Sequence, residues 1–410
     1  MNLNIDERAR IFDKVCRLVE TKHVDPGMNG VDWKALAQSR RNRILACTEP
    51  ENFEKELNSL VTELKTSHTG LRHARMRNLP ARHAISATLH RIAVNGTDRW
   101  MFQDVHQGGP AHSAGIRPGD LLLERGGREI HPPEELTFSV GESASLLVEK
   151  LHGGQERVRV QLPTPKSRKH PVTAPQVVTT ERLSDEIGLM RVAMFPGAIG
   201  IDVAKDIDRG IASLERCSRL IVDLRGNTGG GIGGLRLMSY LTPGKLEVGY
   251  SLTRKRREGG YRKEELTRFG RIPSHKASLL WLAARYAFVE KSILVVTEGL
   301  GQRLFHGRVV LLVNEHTASA GEMVAAFAEE NNLALIVGSK TPGRLLSSRP
   351  FKLGHGYILG LPVAAYLTWH GRMLENNGIV PRISAELSRD ALREGRDTQL
   401  ETAVEAVQNL

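Results

Sequence analysis

Three cysteines, Cys16, Cys47 and Cys217, are all that the 410 residues contain. An odd and scattered set builds no disulfide framework, and it lacks the paired spacings that hold zinc. No run of about eighteen apolar residues occurs, so a membrane-spanning helix is not expected. The opening residues, Met1 to Arg8, have neither the basic start nor the apolar stretch of a secretory signal. The expected location is therefore cytoplasmic, or periplasmic or secreted if the sequence is a processed form. Internal repeats and low-complexity tracts are missing as well.

What is present describes a globular chain of two or three domains, with 40% hydrophobic and 25% charged residues. The net charge of +11 raises the question of nucleic acid. The basic residues are spread out, and their one cluster, Arg254-Lys255-Arg256-Arg257 with Arg262-Lys263, is interleaved with Glu258, Glu264 and Glu265. That mixture reads as a solvated surface loop, and no nucleic-acid partner is expected.

Apolar residues at spacings of three and four (Ile11, Val15, Leu18, Val19; then Phe53, Leu57, Leu60, Val61, Leu64) predict a helical domain over residues 1–75. Asp32 and Thr48 are its expected N-caps, and Pro26-Gly27 its internal turn. Residues 84–163 change character to short strands and turns, among them Trp100–Phe102, Leu121–Leu123, Ala144–Val148 and Val158–Leu162. A polar, proline-bearing linker is expected at 164–176. Over 177–388, apolar strands (Ile187–Val192, Leu220–Val222, Val309–Val313, Ala334–Val337) alternate with helical segments (Ile199–Leu214, Gly321–Ala328), which is the signature of an α/β core. Residues 389–410 read as a helix or tail.

Three segments carry chemistry. In Asn314-Glu315-His316-Thr317-Ala318-Ser319-Ala320-Gly321-Glu322 a serine stands where a buried strand becomes a helix. Its Oγ is then lifted above the sheet edge beside the unpaired N–H groups of the first helical turn. Helix capping by Thr317 or Ser319 is the plainer alternative. Asp223-Leu224-Arg225-Gly226-Asn227-Thr228-Gly229-Gly230-Gly231 follows another buried strand, and its glycines let backbone approach a ligand. Glu375-Asn376-Asn377-Gly378-Ile379-Val380-Pro381 follows a strand-like run near the far end.

In that order, D-L-R-x-N-x-G-G, T-A-S-A-x-E and E-N-x-G-I-x-P resemble the catalytic domain of the C-terminal-processing (tail-specific) serine proteases and the tricorn protease core. Gly109 to Asp120 resembles the P-A-x-x-A-G-x-x-x-G-D segment of PDZ domains, although the glycine-rich carboxylate loop of those domains is not evident near Asn95-Gly96-Thr97. The resemblance implies a multidomain α/β protein. It has a helical N-terminal domain, a PDZ-like β-rich domain that takes peptide tails by strand addition, and a crotonase/ClpP-like protease core.

The tail-specific branch uses a lysine as base, where this chain has Arg344. A guanidinium stays protonated and cannot accept the serine's proton. The tricorn branch pairs serine with histidine, and Lys65-Thr66-Ser67-His68-Thr69-Gly70 matches that element. The resemblance therefore implies Ser319 as nucleophile, His68 as base, Glu375 with Ser67 as its orienting groups, and an oxyanion hole from the N–H groups of Ala320 and of Gly229 or Gly230. A histidine ending a helix is the alternative for His68. Asp223 and Arg225 are expected to shape the glycine loop, and His316 to line the site or cover the strand end. An α/β-hydrolase order using His355 or His370 lacks the first glycine of G-x-S-x-G. The expected activity is serine endopeptidase chemistry on polypeptides, near or from their C-termini, without metal or nucleotide, in a chain able to form a homo-oligomer. The rival expectations are an inactive peptide-binding module on a protease shell and a small-molecule esterase.

Overall fold

The computed structural model describes residues 3–74, 78–164, 175–197, 200–273, 275 and 292–410. Most of the expected linker and the Ile199 start of one expected helix lie outside them. Helices Ile5–Lys22, Trp33–Ala46 and Pro50–Thr62 form the N-terminal unit. The first is fixed by a capping box in which Glu7 N–H donates to Asn4 Oδ1 and Asn4 N–H to Glu7 Oε2. Asp32 caps the second helix through Ala35 N–H. Thr48 does not cap the third, which starts with Pro50 behind Glu49; proline supplies a preset φ there and loses no needed donor.

The β-rich unit has its own core around Phe102, Phe138, Leu122 and Leu146. Its antiparallel sheet runs Ala87–Val94, Thr97–Val105, Leu121–Arg125, Ser143–Glu149, Gln155–Gln161. Two further sheets make the α/β part. One has the order 178–182, 187–192, 219–223, 308–313, 335–338, 383–384, parallel after its first antiparallel pair. Its inner strands 187–192, 219–223, 308–313 and 335–338 are largely buried on both faces, which explains their apolar runs. Phe195, Leu235, Val324 and Phe327 pack on one face. On the other lie Ala403, Ala406 and Val407 from helix Thr398–Gln408, so the expected tail is an integral layer.

The second sheet is built around the long strand Tyr357–Thr368, which pairs with Gly70–His73, Glu247–Thr253 and Leu346–Gly354. Leu353, Tyr357, Leu359 and Leu361 share one apolar cluster with Phe12, Val15, Phe53 and Leu57. The helical unit therefore folds onto a strand pair nearly three hundred positions downstream. The basic cluster departs from the expected loop in the same direction. Arg254–Gly259 is a short helix, and Arg254 and Arg257 donate to the carbonyls of Glu20 and Val24 at 2.6 and 3.2 Å. Those two side chains neutralise open carbonyl groups where the first helix ends.

Candidate active site

Strand Arg308–Val313 ends in a turn, and Ser319 stands as N-cap of helix Ala320–Glu330 with φ of 56°. A positive φ is costly for a residue with a side chain, and such residues concentrate where function requires them. The turn is braced from inside. Thr317 Oγ1 donates to Leu224 O at 2.7 Å, Asn314 N–H donates to Thr317 Oγ1, and Ala318 N–H donates to Asn227 O at 2.8 Å. Glu322, fully buried, accepts from Ser319 N–H, Thr341 Oγ1, Gly343 N–H and Arg344 N–H at 2.7–3.0 Å. One carboxylate thus ties the serine turn to the following loop.

The glycine loop lies directly against this turn. A Cβ on Gly229 would stand 2.5 Å from Ser319 Cβ, and one on Gly230 would stand 2.0 Å from Phe195 O. Only glycine fits at both positions. Gly229 N–H is committed to Asn227 Oδ1 at 2.8 Å, which removes it from the expected choice of oxyanion donors. The N–H groups of Gly230 and Ala320 have no partner among the described residues. Beneath the loop, Arg225 donates to Asp223, Asp397 and Gln399. Burial opposes ionisation of Asp223, yet Arg225 holds its carboxylate below the usual range.

His68 comes from the other direction, in the connection between helix Pro50–Thr62 and strand Gly70–His73, with φ of 59°. That backbone is not a helix end, so dipole pairing does not account for it. Ser67 N–H donates to Glu375 Oε1 at 2.7 Å and Ser67 Oγ to Glu375 Oε2 at 2.8 Å. Ser67 Oγ lies 2.8 Å from His68 Nδ1. Because the hydroxyl proton is committed to Glu375, Oγ can only accept, which places the imidazole proton on Nδ1 and leaves Nε2 a lone pair. Leu345 N–H is a third donor to Glu375, at 2.9 Å. Burial pushes the His68 pKa below its ordinary value, Glu375 opposes this, and Arg344 and Arg82 add to it.

His68, Ser319, Ala320 and Gly230 line one cavity of about 1070 Å³, without a hydrogen bond between Ser319 and His68. Ile232, Met323, Val295 and Tyr366 give it an apolar wall. His316 N–H donates to Asn314 Oδ1, and its buried Nε2 has no partner among the described residues. Glu322 and Asn314 stood in the quoted motifs without an assigned role. The Ser-x-x-Glu spacing of a capping box was the available signal for Glu322.

Residues 186–385 match the family model described as Peptidase family S41, and residues 6–61 match that of the Tricorn protease C1 domain. Residues 186–385, just under half of the chain, thus carry the pattern of peptidase family S41. Among curated relatives, the chain is 26% identical to putative tricorn protease homolog 2 of Streptomyces coelicolor, over 97% of this chain and 32% of that protein. Identity to the carboxy-terminal processing protease CtpA of Bacillus subtilis is 24%, over 68% of this chain and 52% of the relative. The chain thus spans a third to a half of the length of these two. In fold it is similar to the photosystem II D1 C-terminal processing protease, with a TM-score of 0.58 at 17% identity, covering 98% of this chain and 97% of the other. Mature CPAF complexed with lactacystin gives 0.60 at 15% identity, with 98% and 97% covered. No described helix is long and apolar enough to cross a membrane.

Proposed function

We propose that this chain is a serine endopeptidase that cleaves polypeptides, near or from the C-terminus, through an acyl-enzyme. The observation that carries the reading is the Glu375–Ser67–His68 relay, which faces the same cavity as Ser319. Ser319 Oγ attacks the scissile carbonyl while His68 Nε2 takes its proton, and the imidazolium is stabilised through Ser67 by Glu375. The N–H groups of Gly230 and Ala320 receive the oxyanion. His68 then protonates the leaving amine, and water repeats the cycle on the ester. The depressed pKa keeps His68 in its base form at neutral pH. A large cavity with an apolar wall suits an extended polypeptide better than a small ester. The β-rich unit is proposed as a PDZ-like module that takes substrate tails, and the whole as a chain able to self-associate.

A fluorophosphonate probe followed by peptide mapping tests the assignment. Labelling is expected on Ser319, abolished in Ser319→Ala, together with turnover of unstructured polypeptides. An unlabelled, folded wild-type protein would leave a binding module on a protease shell, and ester turnover without peptide cleavage would make it an esterase.

A further inference from the structure

Two loops from different parts of the chain supply the proposed oxyanion donors, so something must set the distance between them. Asn314, fully buried, joins them: its Oδ1 accepts from Gly226 N–H at 3.0 Å and from His316 N–H at 3.1 Å. The first belongs to the glycine loop and the second to the serine turn. The orientation of that side-chain amide is in turn fixed from outside the α/β part. Asn314 Nδ2 donates to Asp104 Oδ1 at 3.1 Å and to Oδ2 at 3.0 Å. Asp104 lies on strand Thr97–Val105 of the β-rich unit, where Thr88 Oγ1 also donates to Oδ2. A Cβ on Gly226 would stand 2.8 Å from Asp104 Cβ, so this side chain is packed directly on the loop. His106 Nε2 donates to Gly226 O at 3.2 Å and His90 Nδ1 to Glu315 Oε1 at 2.7 Å, further links from the same strand pair.

We infer that Asp104 is a positioning residue for the peptidase centre: through Asn314 it sets the spacing between the glycine loop and the serine turn, and with it the alignment of Gly230 and Ala320 N–H. The inference rests on Ser319 being the nucleophile. Without the carboxylate, the Asn314 amide loses the acceptor that keeps its oxygen turned toward both loops. A buried amide with unpaired hydrogens rotates or draws in water, and either change loosens the two donors together. Alignment of such donors matters in the transition state more than in substrate binding, so the loss falls on kcat.

The test is an exchange of amide and carboxylate. Asp104→Ala is expected to lower kcat about 10–100-fold, less than the loss of an oxyanion donor altogether, with KM within about twofold and fluorophosphonate labelling of Ser319 slowed in parallel. Asn314→Asp alone sets two carboxylates against each other and lowers kcat at least as far. In the double variant Asp104→Asn with Asn314→Asp, the carboxylate introduced at position 314 accepts from both loops and from the amide introduced at position 104, while the oxygen of that amide accepts from Thr88. The donors of both loops and of Thr88 keep their acceptors and the net charge is unchanged, so kcat recovers to within about threefold of wild type. A folded Asp104→Ala protein with wild-type kcat, or a double variant no better than Asn314→Asp, overturns the inference. If Asp104→Ala fails to fold, the exchange alone decides. An active Ser319→Ala protein brings down the nucleophile assignment itself, whereas a dead Ser319→Ala beside a fully active Asp104→Ala removes only the positioning role.

Discussion

The serine half and the histidine half of the site are held in opposite ways. Ser319 follows a strand at the centre of a parallel sheet, and Thr317, Asn227, Glu322 and Gly229 crowd its turn. His68 sits on a short connection between Ser67, which is tied to Glu375 308 positions away, and the paired strand Gly70–His73. Both residues carry positive φ, but one is enclosed by packed backbone and the other is tied chiefly by side chains, above all the three-donor carboxylate of Glu375 and the Thr66–Thr69 hydroxyl pair. On the proposed assignment the electrophilic side of the reaction is built into the core, while proton transfer depends on the docking of a helical unit against a distant turn.

Breaking either half should abolish activity. Ser319→Ala is expected to lower peptide hydrolysis at least about 10⁴-fold, with thermal stability unchanged, and His68→Ala to lower it comparably while Arg344→Ala retains turnover. Retained hydrolysis in His68→Ala, beside a dead Arg344→Ala, would move the base to another residue. Glu375→Gln separates the halves. An amide offers Ser67 and Leu345 one acceptor oxygen in place of two, and about 1–3 kcal/mol of stability is lost. Hydrolysis is expected to fall about 10–100-fold, as befits a group that orients the base. Its check is a thermal melt beside the rate, and activity equal to wild type removes Glu375 from the relay.

The smallest effect is electrostatic. On the proposed assignment neutral His68 is the active form, so activity is expected above its pKa and is expected to fail as pH falls through it. Burial, followed among the lowering causes by Arg344 and Arg82, keeps that pKa under its ordinary value. Arg344→Ala removes a positive neighbour, favours the imidazolium, and moves the acidic limb of the kcat/KM profile to higher pH. An unmoved limb would mean that the guanidinium is screened from the ring.

Elements whose determinants are local were legible in the sequence: the buried strands, the capped helices, the serine turn and the two glycine-bearing motifs. The departures are tertiary. The core shared by the N-terminal helices with Leu353–Leu361 cannot be seen in periodicity, because each part alone has an ordinary amphipathic pattern. The basic cluster is largely exposed as expected, but the contacts of Arg254 and Arg257 went unseen because their partners are main-chain carbonyls, which no sequence pattern marks. Gly229 was placed among the oxyanion donors because a glycine run shows which residues permit close approach and not which N–H is already used. Asp104 gave no signal, its one informative neighbour being 210 positions away.

The long reach of the relay bears on how the chain is made. Translation at about 5–20 residues per second separates Ser67 from Glu375 by roughly 15–60 s. The clasp on the glycine loop arrives later still, since Arg225 is held by Asp397 and Gln399. For most of that interval the nascent polypeptide carries His68 without Ser319, and for the remainder it carries both without Glu375. On the proposed assignment no aligned site exists before Glu375 has emerged from the ribosome, so unfolded segments and neighbouring chains are expected to stay uncut until then.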